Sequence, residues 1–416
     1  MRLNIWKWRC AISNLEFNTK DVTRLIRLNN SVVPWASNTQ QPIQIVQTGY
    51  LRDLIVFVQG TPTVTGAVAS VFADPLGPFN VITNYQVNSN VQAGIINLSG
   101  LGAAYYDMVK YGLEYMGNNP YAQLITAPGG AATPNPYNQL DFTWEEEFQN
   151  AAALVAGSSN PLWQVPWILP LAQQINTLDG QIGIWDLQDP SVQMTLLFTP
   201  NSSSAASPFL ITAAAVGASP YNAVAPGTNN IALTTPRTWV QRVMYDPPLD
   251  RANDPDFGYV HSIYEEQWNT SPGGSTVLNW KALANSGWIT RLVFSVVDSN
   301  DLPGTPAAYT AAYNTRAGVA PTLMGAVNSI NLTVGNNAPV VVESIYDFAF
   351  RSNLELGQQL PQGVFYIDFL GRDLTLQNVL DTFTAGNINL QMNFSSALGA
   401  TSSGKVIRAM LQAVQQ

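Results

Sequence analysis

Residues 161–201 read PLWQVPWILPLAQQINTLDGQIGIWDLQDPSVQMTLLFTPN, and residues 361–394 read PQGVFYIDFLGRDLTLQNVLDTFTAGNINLQMNF. The second stretch echoes the first. Each opens on proline and an aromatic–aliphatic run, passes through a polar middle, and closes on a strand that carries Gln-Met and reaches a Phe. Gln193-Met194 and Gln391-Met392 stand 198 residues apart, close to half of the 416-residue chain. A long fixed period predicts one folding unit used twice. Each closing segment alternates with period two. Val192, Met194, Leu196 and Phe198 share one face in the first. Ile388, Leu390, Met392 and Phe394 alternate with Asn387, Asn389, Gln391 and Asn393 in the second. That pattern predicts half-buried antiparallel strands.

Working outward, the same β character recurs. Leu54, Val56 and Val58 alternate with Ile55 and Phe57. Further strands are expected at 64–72, 79–87, 163–171, 180–186, 238–245, 259–268, 288–297, 330–334 and 340–350, with a short one near 209–214. Helices are expected at 101–116, at 405–414, and at 144–156, where Thr143 and Glu146 form a capping-box pair. The segments 117–140, 201–235 and 301–321 are rich in Gly, Pro, Ala, Ser and Asn and read as long loops. Each half then holds about eight short strands. Two four-stranded sheets packed face to face make a jelly roll. The expected fold is therefore all-β, with two tandem eight-stranded jelly rolls, a few short helices, an N-terminal arm and long outer loops. The expected division is an arm at 1–40, a first roll at 41–235, a second at 236–400 and a C-terminal helix at 401–416.

Composition narrows the function classes. Apolar residues make up 46% and charged residues only 11%, against roughly 25% charged in ordinary soluble domains. Charge keeps a free monomer solvated, so this chain is expected to bury much of its surface against other chains. Cys10 is the only cysteine and His261 the only histidine. Intrachain disulfides and multi-histidine metal sites are thereby excluded. No apolar run reaches the length of a membrane span, and the start lacks a secretory signature.

Charge is unevenly placed. Arg2, Lys7, Arg9, Lys20, Arg24 and Arg27 face only Glu16 and Asp21 within the first 27 residues, a balance of +4 in a chain of net −9, which leaves −13 for the rest. Residues 19–28 read as a short helix with Lys20, Arg24 and Arg27 on one face. With Trp6 and Trp8 nearby, this arm suits a membrane interface. Packing on a neighbouring subunit, or on its own body, explains it equally, and direct nucleic-acid contact is a third reading.

Candidate chemistry is sparse. Glu145, Glu146 and Glu147 fall in the first turn of a predicted helix, where negative charge favours the dipole. Glu265 and Glu266 lie near His261 and Trp268, but adjacent strand residues point to opposite faces, so the pair cannot flank one glycosidic bond. Asp246, Asp250, Asp254 and Asp256 form an acidic loop whose spacing departs from calcium-binding loops. Trp163, Trp167 and Trp185 sit in apolar strands and read as core or subunit contacts ahead of a sugar platform. No catalytic residue, cofactor or metal site is expected.

Three places carry a family resemblance. Val165-Pro166, Ile168 to Ala172, Leu178, Gly180, Leu196 and Phe198 form one. Leu360 to Asp368, continued by Gly386-Asn387, forms the second, and residues 47–60 form the third. With these the chain resembles the double jelly-roll major capsid proteins of tailless, membrane-containing phages such as PRD1. The resemblance implies a homotrimer of pseudo-hexagonal outline, since three chains supply six rolls, and an icosahedral virion shell assembled in the host cytoplasm. It implies partners of the same kind: neighbouring trimers, minor capsid, vertex or membrane proteins, and peripheral contact with an internal membrane. Sequence-specific nucleic acid is not among them. It also places the arm inside, which makes Arg2, Trp6, Lys7, Trp8, Arg9, Lys20, Arg24 and Arg27 the candidate inward-facing residues. The long loops become outer towers or clamps. A carbohydrate-binding or glycoside-hydrolysing jelly-roll protein is the alternative.

Overall fold

The computed structural model describes residues 17–18, 24–33, 35–36, 38–66, 70–73, 79, 81–111, 154–155, 163–175, 180–201, 210–211, 229–248, 254–282, 287–297, 327–335, 341–343, 345–356, 360, 363–371, 374–400 and 402–413. Sixteen of the described strands build two rolls. The first uses β1 (Arg24–Val33), β2 (Gln41–Gln44), β3 (Tyr50–Gly66), β4 (Ile82–Ser89), β5 (Ile96–Leu98), β6 (Trp163–Pro170), β7 (Met194–Pro200) and β8 (Asn229–Tyr245). The second uses β9 (Tyr259–Gln267), β10 (Val277–Ala282), β11 (Trp288–Val297), β12 (Val327–Val334), β13 (Val341–Glu343), β14 (Val364–Asp368), β15 (Ile388–Phe394) and β16 (Ser403–Ala413). Two twelve-residue helices, α1 (Gly100–Tyr111) and α2 (Ile345–Leu356), follow β5 and β13.

The sheet orders make the duplication explicit. In the first roll, β1-β8-β3-β6 forms one antiparallel sheet and β2-β7-β4-β5 the other. In the second, β9-β16-β11-β14 and β10-β15-β12-β13 repeat those orders with every strand number raised by eight. The echo in the sequence is thus real: Met194 and Met392 lie on β7 and β15, the same strand of each roll. Both strands alternate strictly between buried and half-buried residues, with Met194, Leu196 and Phe198 inward in one and Ile388, Leu390, Met392 and Phe394 in the other. The fold is all-β, a double jelly roll.

The rolls are not separate. β5 pairs with β9 in parallel, Ile96 opposite Ile263 and Asn97 opposite Tyr264, so one sheet of each roll runs into a single nine-stranded sheet. Buried apolar residues from both halves form one contiguous core. In the first roll it centres on Trp167, fully buried, whose Nε1 donates to the Gly100 carbonyl at 2.8 Å and whose ring meets Phe79 and Tyr85 edge-on. The outer edge of β6 is closed by α1, where Asp107 accepts the Ile168 N–H at 2.9 Å. An edge donor is satisfied there by a side chain where no further strand can reach it.

Four expectations are corrected, and a fifth falls almost wholly outside the described residues. Residues 24–33 form β1 where a helix was expected over 19–28. The strand is paired along its length with β8, and Arg24 and Arg27, three apart, fall on opposite sides of it. The arm of 1–40 therefore gives up its second half to the first roll. The C-terminal helix of 401–416 is the strand β16. Central between β9 and β11, it is buried almost continuously from Val406 to Leu411, and a continuous apolar run does not distinguish a central strand from a helix. The junction expected near 235 falls inside β8, because the last strand of a roll must return to the middle of its first sheet. The strand expected over 340–350 ends at Glu343. From Ile345 the chain is helical, with Asp347 in the first turn and an Arg351–Glu355 pair at i,i+4 spacing. The helix expected over 144–156 lies outside the described residues apart from Leu154–Val155, which pair as a strand with Ser70–Ala73.

Candidate functional site at the joint between the rolls

The most elaborate polar construction in the described structure is the joint around α1, β5 and β9. Ser99 caps α1, its Oγ accepting the Gly102 N–H at 2.9 Å. Ser99 in turn donates its own N–H and hydroxyl to the Glu265 carboxylate of β9, at 2.5 and 3.0 Å. Glu265 is also held by Lys405 at 2.6 Å. A carboxylate from the second roll thus sits at the positive N-terminus of the first roll's helix, where dipole and charge agree. Beside it, Gln92 of the β4–β5 turn donates to Gln412 at 3.0 Å and to Ser262 at 3.3 Å, and Ser262 donates to Gln412 at 2.9 Å.

Behind this seam lies a group of buried charges from both rolls. Arg291 pairs with Asp368, and its guanidinium lies 5.7 Å from the Tyr106 ring of α1. Arg52 pairs with Asp53 at 3.2 Å. Lys110, at the end of α1, donates to the Ala172 carbonyl at 2.9 Å. Burial pulls the Lys110 pKa down to about 7, with Asp53 opposing and Arg291 and Arg52 adding to the shift. Burial raises Asp53 against the pull of Arg52 and Lys110, and lifts Tyr106 to about 12 against Arg291. His261 is fully buried across from Gly183, a left-handed glycine (φ +84) on which any Cβ would lie 3.1 Å from the His261 Cβ. Burial drives the His261 pKa well below its usual value. Lys110 and Arg291 push the same way, and the Pro170 carbonyl opposes. The imidazole is therefore neutral through the physiological range. Among the described residues this arrangement joins the two rolls through hydrogen bonds and ion pairs.

The sequence-predicted residues are dispersed. Glu265 and Glu266 do point apart. Glu266 accepts the Trp280 Nε1–H at 2.8 Å and pairs with Arg408. Trp268 packs edge-on to Phe294 in the core. Asp254 accepts the Tyr50 hydroxyl, Asp256 the Gly258 N–H, and Asp246 approaches Arg27 at 4.0 Å, so these acids serve three different partners. Asp250 lies outside the described residues. Among the described residues no group of three or more potential metal ligands converges. Trp167 and Trp185 are buried; of Trp163 only the backbone position on β6 is described. Arg24 and Arg27 are exposed on β1. Arg2, Trp6, Lys7, Trp8, Arg9, Lys20 and Glu145, Glu146 and Glu147 lie outside the described residues.

Sequence reasoning missed Ser99, Gln92, Tyr106, Arg291 and Asp368. Ser99 before a glycine-rich helix start is a legible N-cap. Its acceptor, 166 residues away, is not.

No protein-family model and no curated protein matches the sequence. Solved structures do. The STIV major capsid protein is 12% identical, with 94% of this chain and 97% of that chain covered and a TM-score of 0.56. The Faustovirus major capsid protein is 10% identical over 95% and 91%, with a TM-score of 0.54. The VP54 protein of PBCV-1 is 11% identical over 94% and 93%, with a TM-score of 0.53. At such identities the likeness is one of fold, and the fold it shares, end to end, is the double jelly roll of viral major capsid proteins.

Proposed function

We propose that this chain is the major coat protein of an icosahedral virion. The observation that carries the reading is the end-to-end match of the double jelly roll, covering 94–95% of this chain, to solved major capsid proteins. The low charge supports it, since a chain with 11% charged residues is suited to a surface covered by copies of itself. In this reading three chains form a homotrimeric capsomer of pseudo-hexagonal outline, assembled in the host cytoplasm. Neighbouring trimers and minor capsid or vertex proteins complete the shell. An internal membrane of the PRD1-like kind lies beneath, faced by the basic, tryptophan-bearing segment before residue 17. No catalysis is assigned.

The carbohydrate alternative has no supporting observation among the described residues: Glu265 and Glu266 serve structural partners on opposite faces, and Trp167 is buried. Native mass spectrometry and negative-stain microscopy of the purified protein test the proposal. Three-chain particles of hexagonal outline, closing into shells when co-expressed with the other virion proteins, are expected. A persistent monomer that binds or cleaves a polysaccharide would overturn it.

A further inference from the structure

The chain's single histidine is sealed inside the joint between the rolls. Tyr259, His261, Ile263 and Glu265 fall on one face of β9, and contacts with α1 stand at both ends of that row. At one end Glu265 receives the Ser99 N–H ahead of the helix. At the other, His261 lies within the field of Lys110, in the helix's last turn. The backbone ladder of the joint is short. It joins Ile263 to Ile96 and Tyr264 to Asn97, whereas β9 pairs with β16 from Tyr259 to Gln267. Buried side chains must carry the remainder of the hold.

Charge in that buried group is matched. Arg52, Lys110 and Arg291 stand against Asp53, Asp107 and Asp368. The acids are already engaged: Asp53 by Arg52, Asp368 by Arg291, and Asp107 by the Ile168 N–H. Burial holds Tyr106, Tyr111 and Tyr259 above the usual tyrosine range, so none is an anion. On β16, His261 stands opposite Leu411, and Arg408 is taken by Glu266. The charged side chains that bear on the ring are Lys110 and Arg291, both cations. An imidazolium here would be an extra buried cation with no counter-ion among the described residues, a charge that structure yields to rather than holds.

We propose that the joint is an acid-operated latch: a proton taken up by His261 parts α1 from β9 and frees the two rolls from one another, while each roll stays folded. Local openings of this kind lie below the global stability of a fold, and protonated histidines are the groups that bias them in mild acid. The open joint takes up a proton near the ordinary histidine value of about 6.5, which the closed joint refuses. Opening is favoured about tenfold per pH unit below that value, until the closed-state value is reached. Lys110, at about 7, carries its charge through most of that range and adds little slope there. Asp53, raised by burial, works in the opposite sense. Its effect is common to the wild type and a His261 variant, so the difference between them isolates the ring. The latch belongs to the single chain and does not depend on the coat-protein reading.

Hydrogen exchange read at single residues tests the latch in the full-length protein, from about pH 7.5 to about pH 5, the range a histidine spans. The reporters are the amides that cross the joint, Ile263 N–H to the Ile95 carbonyl and Ser99 N–H to Glu265. Corrected for the intrinsic pH dependence of exchange, their protection is expected to fall about tenfold per pH unit below about 6.5. Amides of β7 and β15 are expected to keep theirs. His261→Gln is expected to remove the slope at the joint and leave protection at neutral pH in place. A second readout needs no variant. With one histidine in the chain, an isotope-labelled imidazole gives a single resonance. It is expected to hold its neutral position while the joint is closed and to shift only as the joint amides begin to exchange. Protection lost evenly from β7, β15 and the joint would make the acid effect global unfolding and overturn the latch. Protection that holds unchanged to the lowest pH overturns it too. So does a His261→Gln variant with the wild-type slope, or a ring that titrates near about 6.5 while the joint amides stay protected.

Discussion

Met392 shows how much one residue on an alternating strand carries. It is fully buried on β15 between β10 and β12, opposite Leu278 and Ile330. Met392→Ala is expected to lower stability by about 2–5 kcal/mol through lost burial and a cavity, measured as a shift in the denaturant midpoint. Met392→Asp would put an unpaired charge on the core face, and it is expected to yield no soluble folded protein. His261 makes a different prediction. Its pKa is depressed in the folded chain, while the unfolded chain takes up a proton near the ordinary value of about 6.5. Below that pH the unfolded state holds the extra proton, so stability falls as pH drops. The slope from this group approaches about 1.4 kcal/mol per pH unit until the folded pKa is reached. His261→Leu is expected to flatten the stability profile between about pH 6.5 and 5. Identical slopes for both proteins would mean that the buried ring is protonated in the folded state.

Among the elements, α1 does what neither roll could do alone. It covers the Trp167 core, closes the β6 edge through Asp107, and presents its capped N-terminus to Glu265 of the other roll. Glu265→Gln removes the charge facing that terminus and the ion pair to Lys405. A loss of about 1.5–3 kcal/mol is expected, the range for hydrogen bonds to charged groups. Ser99→Ala, removing the cap, is expected to cost about 1 kcal/mol. The double variant is expected to lose less than the sum, because both act on one network; strict additivity in unfolding experiments would show that cap and carboxylate are independent. At this scale the two helices that proved to be strands have one cause. Residues 24–33 and 403–413 carry apolar patterns that suit either conformation, and strand partners more than a hundred residues away decided for the sheet.

At the scale of the whole molecule, β1 changes how the N-terminal region must be tested. Removing residues 1–30 would delete most of β1 and with it one edge of the first roll. The informative deletion is 1–16, which spares β1 and removes three of the six basic residues of the arm: Arg2, Lys7 and Arg9 go, and Lys20, Arg24 and Arg27 stay. The truncated chain is expected to keep its fold and its oligomeric state, to lose binding to anionic lipid vesicles in flotation assays, and to close fewer shells around membrane. If the truncated chain no longer forms the wild-type oligomer, the segment is a clamp between subunits and its membrane role falls.

Much of this architecture was legible along the chain. The Gln-Met echo, the strict alternation of Ile388, Leu390, Met392 and Phe394, and the proline-led openings at 161 and 361 determined two β units of one plan, because side-chain period and turn chemistry are local properties. The low charge pointed to assembly for an equally simple reason, that composition is independent of fold. Pairing is not local. That β8 crosses residue 235, that 403–413 is a central strand, that Ser99 finds its acceptor on Glu265, and that β5 joins β9 were decided only in three dimensions, where residues far apart in sequence compete for the same hydrogen bonds and the same buried surface.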